Sequence, residues 1–201
     1  MNKYVSRGGL KLESVSSIFK LDFRGKTVLD VGSSTGGFTD YALQHQAAKV
    51  IAVEKGKNQL HKTLHNNPKI ELHEQTDIRD FRLQNPDYRI QNNNYKTHNQ
   101  NSIIDLVLID VSFVSLRKIL PAVLKLCDKN TIVVAMVKPQ FEAEAEQKHV
   151  GVVKNERLRR QILKDFEAWA SSIFVIQAKA DSKITGAKGN VERFYLLQKA
   201  R

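Results

Sequence analysis

The sequence predicts an α/β fold with a mostly parallel, doubly wound sheet and helices on both faces. Short apolar runs alternate with helical patterns from residue 28 to residue 137, which is typical of βαβ units and a parallel sheet. The first run passes directly into a glycine-bearing turn and a helix, and several runs end on a charged residue. At 201 residues the chain has the length of one domain rather than two.

The elements follow from the hydrophobic pattern taken in order. Residues 1–26 are predicted to form a basic segment and a helix at 10–19, ahead of the first strand. Strands are predicted at 28–31, 50–53, 70–73, 103–109, 131–137, 173–178 and 191–197. Further helices are predicted from the glycine loop to about residue 46, and at 59–64, 115–126 and 155–170. Residues 84–102 are rich in Asn and Gln without periodicity, so we expect a surface insertion there, and 142–151 is expected to be irregular.

The composition indicates an unusually basic protein. The formal net charge of +11 favours a polyanionic partner, either nucleic acid or an acidic membrane surface, although charge also serves solubility. We expect phosphate contacts from Lys3, Arg7, Lys11, Arg157, Arg159, Arg160, Lys164 and the turn at 183–193. The single cysteine, Cys127, cannot form an internal disulfide, and the apolar run at 132–137 is far shorter than the ~20 residues that span a bilayer. A cytoplasmic protein without membrane association is therefore expected.

The glycine loop after the first strand is the strongest candidate for a ligand site. Its glycines, Gly32, Gly36 and Gly37, do not match the spacing of a dinucleotide loop, and no Lys-Ser or Lys-Thr pair marks a phosphate loop. Asp30 and Asp40 flank the loop, so a ligand with a positive centre and no phosphate would suit it. S-adenosylmethionine is such a ligand, and an ordinary strand-to-helix turn is the alternative.

Other polar residues at strand ends are secondary candidates. Glu54 closes the second strand about 20 positions after the loop, where an acidic residue can accept hydrogen bonds from ribose hydroxyls. It could equally be a solvated charge. Glu74 and Asp77 follow the third strand, and either could face an adenine. His61 and His65 could share a metal, but a solvated helix face is the preferred interpretation because no third ligand is near, so no metal is expected.

Two further strands end on residues that could take part in catalysis. The fourth apolar run ends in Asp110 and the fifth in Lys138, which Pro139 follows. In the usual doubly wound order the carboxyl ends of the first, fourth and fifth strands lie side by side. Asp30, Asp110 and Lys138 would then surround one cleft, unless Lys138 merely extends its amine to solvent.

Several long segments of the chain resemble one known family. They are residues 4–12 (YVSRGGLKL), 30–40 (DVGSSTGGFTD), 110–116 (DVSFVSL), 137–142 (VKPQFE) and 185–192 (TGAKGNVE). With them the chain resembles the TlyA-type proteins, often labelled hemolysins, which belong to the FtsJ-like 2′-O-ribose RNA methyltransferases. The likeness covers almost the whole chain.

The resemblance implies a single Rossmann-like class I methyltransferase domain over residues 1–201 that acts on RNA, with ribosomal RNA or ribosomal subunits as partner. It implies a catalytic tetrad of Lys11, Asp110, Lys138 and Glu192. The implied S-adenosylmethionine site comprises Asp30, Gly32, Ser33, Ser34, Thr35, Gly36, Gly37, Phe38, Glu54 on the ribose, Asp77 near the adenine, and Asp110. Such proteins commonly carry a small RNA-binding domain ahead of the catalytic one, and this chain is expected to start too late to include it.

The chemistry of the proposed reaction accounts for these residue types. A ribose 2′-hydroxyl is a poor acid, so methyl transfer to it needs a base and strict geometry. A lysine can act as that base only when its amine is neutral; a second lysine and the sulfonium favour the neutral form, whereas the two carboxylates oppose it. Two other functions stay open at this point: a membrane-active cytolysin, as the family label suggests, and a cofactor-binding protein without turnover.

Overall fold

The computed structural model describes residues 3–83, 104–143, 152–153, 155–186 and 189–200. The helices are α1 (Arg7–Ser16), α2 (Gly37–Gln44), α3 (Leu116–Leu126), α4 (Pro139–Glu142) and α5 (Glu156–Ala170), with one 3-10 turn at Lys62–Leu64. The strands are β1 (Thr27–Val31), β2 (Lys49–Val53), β3 (Ile70–His73), β4 (Leu106–Ile109), β5 (Ile132–Val137), β6 (Phe174–Asp181) and β7 (Arg193–Lys199).

These strands form one sheet in the order β3-β2-β1-β4-β5-β7-β6. The pairs among β1 to β5 are all parallel, whereas β7 runs antiparallel to both β5 and β6. The predicted mostly parallel, doubly wound sheet is therefore confirmed. The order reverses at β1, which places β4 and β2 on its two sides, and ligands of such sheets bind outside the carboxyl ends at that point.

Each face of the sheet carries its own apolar core, because successive strand residues point to opposite faces. On one face α1 and α2 pack on the sheet through Leu12, Val15, Phe38 and Tyr41, with Phe194 from β7. On the other face α3 and α5 contribute these buried side chains: Leu116, Ile119, Leu120, Val123, Leu163 and Phe166. The prediction of helices on both faces is confirmed.

Element boundaries account for most of the differences from the sequence prediction. Helix α1 begins three positions earlier than expected, since the Ser6 side chain accepts the Gly8 amide and caps it. The helix predicted at 59–64 is wrong, and only the 3-10 turn forms there. The amides of Asn58 and Gln59 are instead bonded to the Glu74 carboxylate at 2.8 and 2.9 Å.

Some predictions fall on parts of the chain outside the described residues. These are the insertion at 84–102 and most of the irregular segment at 142–151. Among the described helices none is long and apolar enough to cross a membrane.

Candidate active site

The carboxyl edge of the sheet brings the ends of β1 and β4 into direct contact. Val31 pairs with Ile109 in parallel register, and the Asp110 amide donates to the Val31 carbonyl at 3.0 Å. Gly32 follows Val31 with φ +80°, and a Cβ at this position would lie 2.8 Å from the Asp110 carbonyl oxygen. Glycine is required here on both counts, because an L side chain would be strained and would separate the two strand ends.

Lys138 and Asp110 form the first of two ion pairs at this edge. The Lys138 Nζ atom lies 2.6 Å from Asp110 Oδ1 and donates to Ser112 Oγ at 2.7 Å. The two side chains are 11% and 22% exposed, respectively. The amine is thus held at two points but stays within reach of solvent at the mouth of the site.

Lys11 and Glu192 form the second ion pair. Lys11 Nζ lies 2.6 Å from Glu192 Oε2, and the side chains are 9% and 3% exposed. Val137 pairs with Arg193 across the antiparallel β5–β7 ladder, so Lys138 and Glu192 lie at the same end of the sheet. The tetrad residues predicted from the family resemblance therefore assemble as two lysine–carboxylate pairs at one edge.

Glycines set the position of helix α1, and with it the position of Lys11. A Cβ on Gly37 would lie 2.2 Å from Ser6 Oγ and 3.1 Å from the Gly8 Cα atom, and a Cβ on Gly9 would collide with the Tyr4 ring. Helix α1 therefore reaches the start of α2 only because these positions carry no side chain. The close approach delivers Lys11 to the edge of the sheet beside the glycine loop.

A small cavity of about 90 Å³ lies under the glycine loop. Its lining comprises Ser6, Gly8, Asp30, Gly32, Ser33, Ser34, Thr35, Gly37, Phe38 and Asp110. Asp30 is fully buried, and its Oδ2 atom accepts from Thr39 Oγ1 at 2.6 Å. Its Oδ1 atom and Ser33 Oγ are buried without a hydrogen-bond partner among the described residues. Burial raises the pKa of Asp30 to about 7. The two unpartnered oxygen atoms could each accept a hydrogen bond from a ligand.

A larger cleft of about 610 Å³ continues from this cavity on the other side of Gly32. Glu54 lies on its wall and accepts the Ser34 amide at 2.9 Å and the Gly56 amide at 2.6 Å. Each carboxylate oxygen retains a second acceptor site for a ligand hydroxyl. The apolar part of the wall is formed by Val31, Val53, Ile78, Val111, Val114 and Ile119.

Asp77 is the acidic residue after β3 that lines this cleft. Its carboxylate binds the Arg79 guanidinium at 2.8 and 2.6 Å and lies 3.4 Å from Lys55 Nζ. The Arg79 contact holds the pKa of Asp77 well below its usual range. Glu74 instead fixes the loop after β2 and is not among the residues that line the cleft, so Asp77 stays the predicted neighbour of an adenine.

The whole described chain corresponds to one known family. The family model of FtsJ-like methyltransferases matches residues 4–199. The chain belongs to the FtsJ-like methyltransferase family. The resemblance expected from the sequence is confirmed, and the Rossmann-like methyltransferase fold is confirmed with it.

Related proteins share most of this FtsJ-like domain. The 23S rRNA (cytidine-2′-O)-methyltransferase TlyA of Campylobacter jejuni is 37% identical over 195 residues, which cover 96% of this chain and 70% of the relative. YqxC of Bacillus subtilis, provisionally named an rRNA methyltransferase, is 37% identical over 192 residues, which cover 94% of this chain and 64% of the relative. A hemolysin-labelled structure from Streptococcus thermophilus has a TM-score of 0.85 and 37% identity, covering 100% of this chain and 68% of that one. The chain thus spans about two thirds of the length of these relatives.

Several residues of the FtsJ-like domain have other roles than the sequence suggested. Gly36, with φ +93°, does not line the small cavity; a Cβ there would lie 2.6 Å from Leu64 and 2.8 Å from Leu60. Close packing against the 60–64 segment therefore explains why this position carries a glycine. Asp40 accepts the Val5 amide at 2.9 Å and anchors the N-terminal segment, so its charge is directed at the backbone rather than at a ligand.

The histidine pair and several basic residues are also used within the fold. The His61 ring caps the 3-10 turn and the His65 ring bonds to the Leu60 carbonyl at 2.8 Å. Arg159 is buried against Asp181 at 2.7 Å and donates to the Val191 carbonyl. Arg193 binds the same aspartate, and Lys3 pairs with Glu13. The expectation that Lys11, Arg159 and Arg193 contact phosphate is not supported, because carboxylates within the fold already bind them. Lys3 stays exposed beside Glu13.

Sequence reasoning missed three residues beside the first ion pair. Ser112 holds Lys138, as described above. Phe113 is 91% exposed at the cleft, with φ +64° and its ring centroid 5.2 Å from that of Phe141. Glu142 is buried next to this pair of rings. A large exposed aromatic residue in a left-handed conformation is uncommon, but only the structure shows it.

Proposed function

We propose that this domain transfers a methyl group from S-adenosylmethionine to a ribose 2′-hydroxyl of RNA, with ribosomal RNA as the substrate. The observation that carries the proposal is the assembly of two lysine–carboxylate pairs, Lys138 with Asp110 and Lys11 with Glu192, at the edge where the ligand clefts open. Removing a proton from an alcohol needs a positioned base, and a lysine amine can serve as one. A structural sheet edge has no need of two buried or nearly buried lysines.

The two clefts have the chemical character that S-adenosylmethionine requires. Asp30 Oδ1 and Ser33 Oγ would hold the ammonium group of the methionine portion, since both are buried and lack a protein partner. Glu54 would accept the ribose hydroxyls, and the apolar wall with Asp77 would enclose the adenine. When bound, the cofactor supplies an electrophilic methyl group.

Lys138 would bind the RNA hydroxyl through its amine and accept the proton of that hydroxyl. Its Nζ atom lies at the mouth of the site, where Asp110 Oδ1 and Ser112 Oγ fix its direction. Lys11 places a second ammonium group at the same edge of the sheet. Glu192 neutralises Lys11 and keeps its position fixed.

The surface around the site suits RNA. Phe113 presents an exposed ring on which an unstacked base can lie. Helix α5 carries an outward row of Arg157, Arg160 and Lys164, all exposed, and it starts beside the β6–β7 turn that leads to Glu192. These cations would contact phosphates without reading sequence.

The relatives support ribosomal RNA as the particular substrate. The Campylobacter jejuni relative is named for cytidine-2′-O methylation of 23S rRNA. For the present chain we infer the same substrate class, acting on assembled ribosomal subunits in the cytoplasm.

The direct test uses purified protein, S-adenosylmethionine labelled in its methyl group, and isolated small and large ribosomal subunits. We expect label in RNA, and after alkaline hydrolysis we expect it in uncleaved dinucleotides, because a methylated 2′-oxygen cannot attack the neighbouring phosphate. Lys129→Ala, at the opposite end of the sheet, is the matched lysine control for Lys138→Ala. Label that stays on a base, or no label with either subunit, would contradict the proposal.

A further inference from the structure

Glu142 is a buried carboxylate that the proposed chemistry leaves without a role. Its side chain is 1% exposed. One oxygen accepts from Ser115 Oγ at 2.6 Å and the other from the Leu116 amide at 2.6 Å, while Arg117 Nε lies 3.9 Å away. Burying a carboxylate is costly, so these short contacts are required to hold it in place.

Glu142 connects the two loops that carry the first ion pair. It ends helix α4, one turn after Lys138, whereas Ser115 and Leu116 begin helix α3, immediately after the loop that contains Asp110 and Ser112. The ion pair ties these loops together at one end, and the Glu142 carboxylate ties them together at the other. The distance from Lys138 to its two partners therefore depends on both connections.

The loop after β4 needs such support because its backbone is strained. Phe113 adopts φ +64°, a conformation that is unfavourable for a residue other than glycine and persists only when the surroundings enforce it. Its ring lies 5.2 Å from that of Phe141, the residue before Glu142. The same clamp thus fixes the loop that presents Ser112 and Phe113 at the cleft.

We propose that Glu142 is a positioning residue, which joins the β4–α3 loop to helix α4 and so sets the geometry of the Lys138–Asp110–Ser112 contact. The expected effect on the reaction rate rests on the proposed function, whereas the expected effect on the order of the β4–α3 loop does not. Small displacements of reacting groups lower rates steeply.

The kinetic test compares Glu142→Ala with Glu142→Gln in labelled-methyl transfer to ribosomal subunits. Glu142→Ala removes both contacts, and we expect kcat to fall about 10- to 100-fold. The affinity for S-adenosylmethionine, measured by calorimetry, should fall by a smaller factor, because this loop forms only part of the cleft and Glu54 and Asp77 lie outside it. Glutamine can accept from Leu116 and donate to Ser115, so Glu142→Gln should recover most of the rate. The control is Asp128→Ala, which removes a carboxylate that accepts the Asn130 and Thr131 amides at 2.7 and 3.0 Å, far from the cleft; it should leave kcat unchanged.

The structural test is amide hydrogen exchange, which does not depend on activity. In Glu142→Ala we expect faster exchange confined to residues 110–117, with the glycine loop unchanged. Unchanged exchange there, a kcat within twofold of wild type, or a Gln variant as slow as the Ala variant would each overturn the assignment. If the wild-type protein methylates no RNA, the proposed function fails, but the exchange result still decides whether Glu142 orders the loop.

Discussion

Replacing Asp30 by asparagine should stabilise the protein at alkaline pH and weaken its binding of S-adenosylmethionine. Burial is the main reason that the pKa of Asp30 is raised to about 7 from 3.8, and the Asp110 charge adds to it. Between these two values the native state keeps a proton that the unfolded state has lost. The contribution of this group to stability is therefore complete at acid pH and is lost as the pH rises towards 7.

The difference between the native and the unfolded pKa of Asp30 sets how much unfolding free energy is lost. The loss is about 4 kcal/mol when the group is fully ionised and about 1.5 kcal/mol at pH 5. Asparagine keeps the acceptor for Thr39 but carries no charge, so it avoids this cost. A chain of this size gains about 2–4 °C in Tm per kcal/mol, and we expect a rise of several degrees at pH 8 and a smaller one at pH 5.

The assay is thermal unfolding of the wild type, Asp30→Asn and Thr39→Val at both pH values, with calorimetry of cofactor binding. Thr39→Val removes the one hydroxyl that bonds to the Asp30 carboxylate, so it should lower Tm more at pH 8 than at pH 5. Loss of the charge beside the ligand ammonium should weaken binding by Asp30→Asn about 10- to 100-fold. An Asn variant that is less stable than wild type at pH 8, or that binds the cofactor equally well, would refute the reasoning.

Other variants test the remaining parts of the site. Lys138→Ala should lower methyl transfer ~10²- to 10⁴-fold and leave cofactor affinity nearly unchanged in calorimetry; a rate within twofold of wild type would exclude a base role. Gly36→Val should lower Tm and abolish cofactor binding, because the side chain would collide with the 60–64 segment and displace the loop; unchanged affinity would contradict this. Replacing Arg157 and Lys164 together by Gln should reduce the slope of log K against log salt for RNA binding by about 2, whereas Lys129→Gln should not change it.

The sheet and the acidic and basic residues at its edge could be predicted from sequence because they depend on local pattern. A buried strand that ends abruptly in Asp110 or Lys138 has a clear hydrophobic signal, and the topology rule then places the ends together. The tetrad partners Lys11 and Glu192 carry no such signal and were identified by family resemblance alone. Their pairing is a long-range contact that no local pattern encodes.

Other features of the site depend on packing that a sequence does not display. Gly37 is predicted to leave room for a ligand, and it does line the small cavity, but its missing Cβ also makes room for helix α1. Asp40 and Arg159 are predicted to face partners outside the fold, yet Asp40 accepts the Val5 amide and Arg159 binds Asp181. Glu142 stands at the start of a segment that the sequence predicts to be irregular, and its contacts with Ser115 and Leu116 become visible only when the start of α3 is placed beside it.

The Lys11–Glu192 pair joins the first helix of the described chain to the residue before β7. Contacts of such large sequence separation form late, because the intervening chain must be ordered before their closure entropy is repaid. During synthesis the second ion pair cannot form until residue 192 has left the ribosome. In a chain truncated before Glu192, Lys11 would lack its carboxylate partner and Phe38 would lack its packing partner Phe194. The edge of the sheet therefore reaches its final arrangement only when β7 has been made.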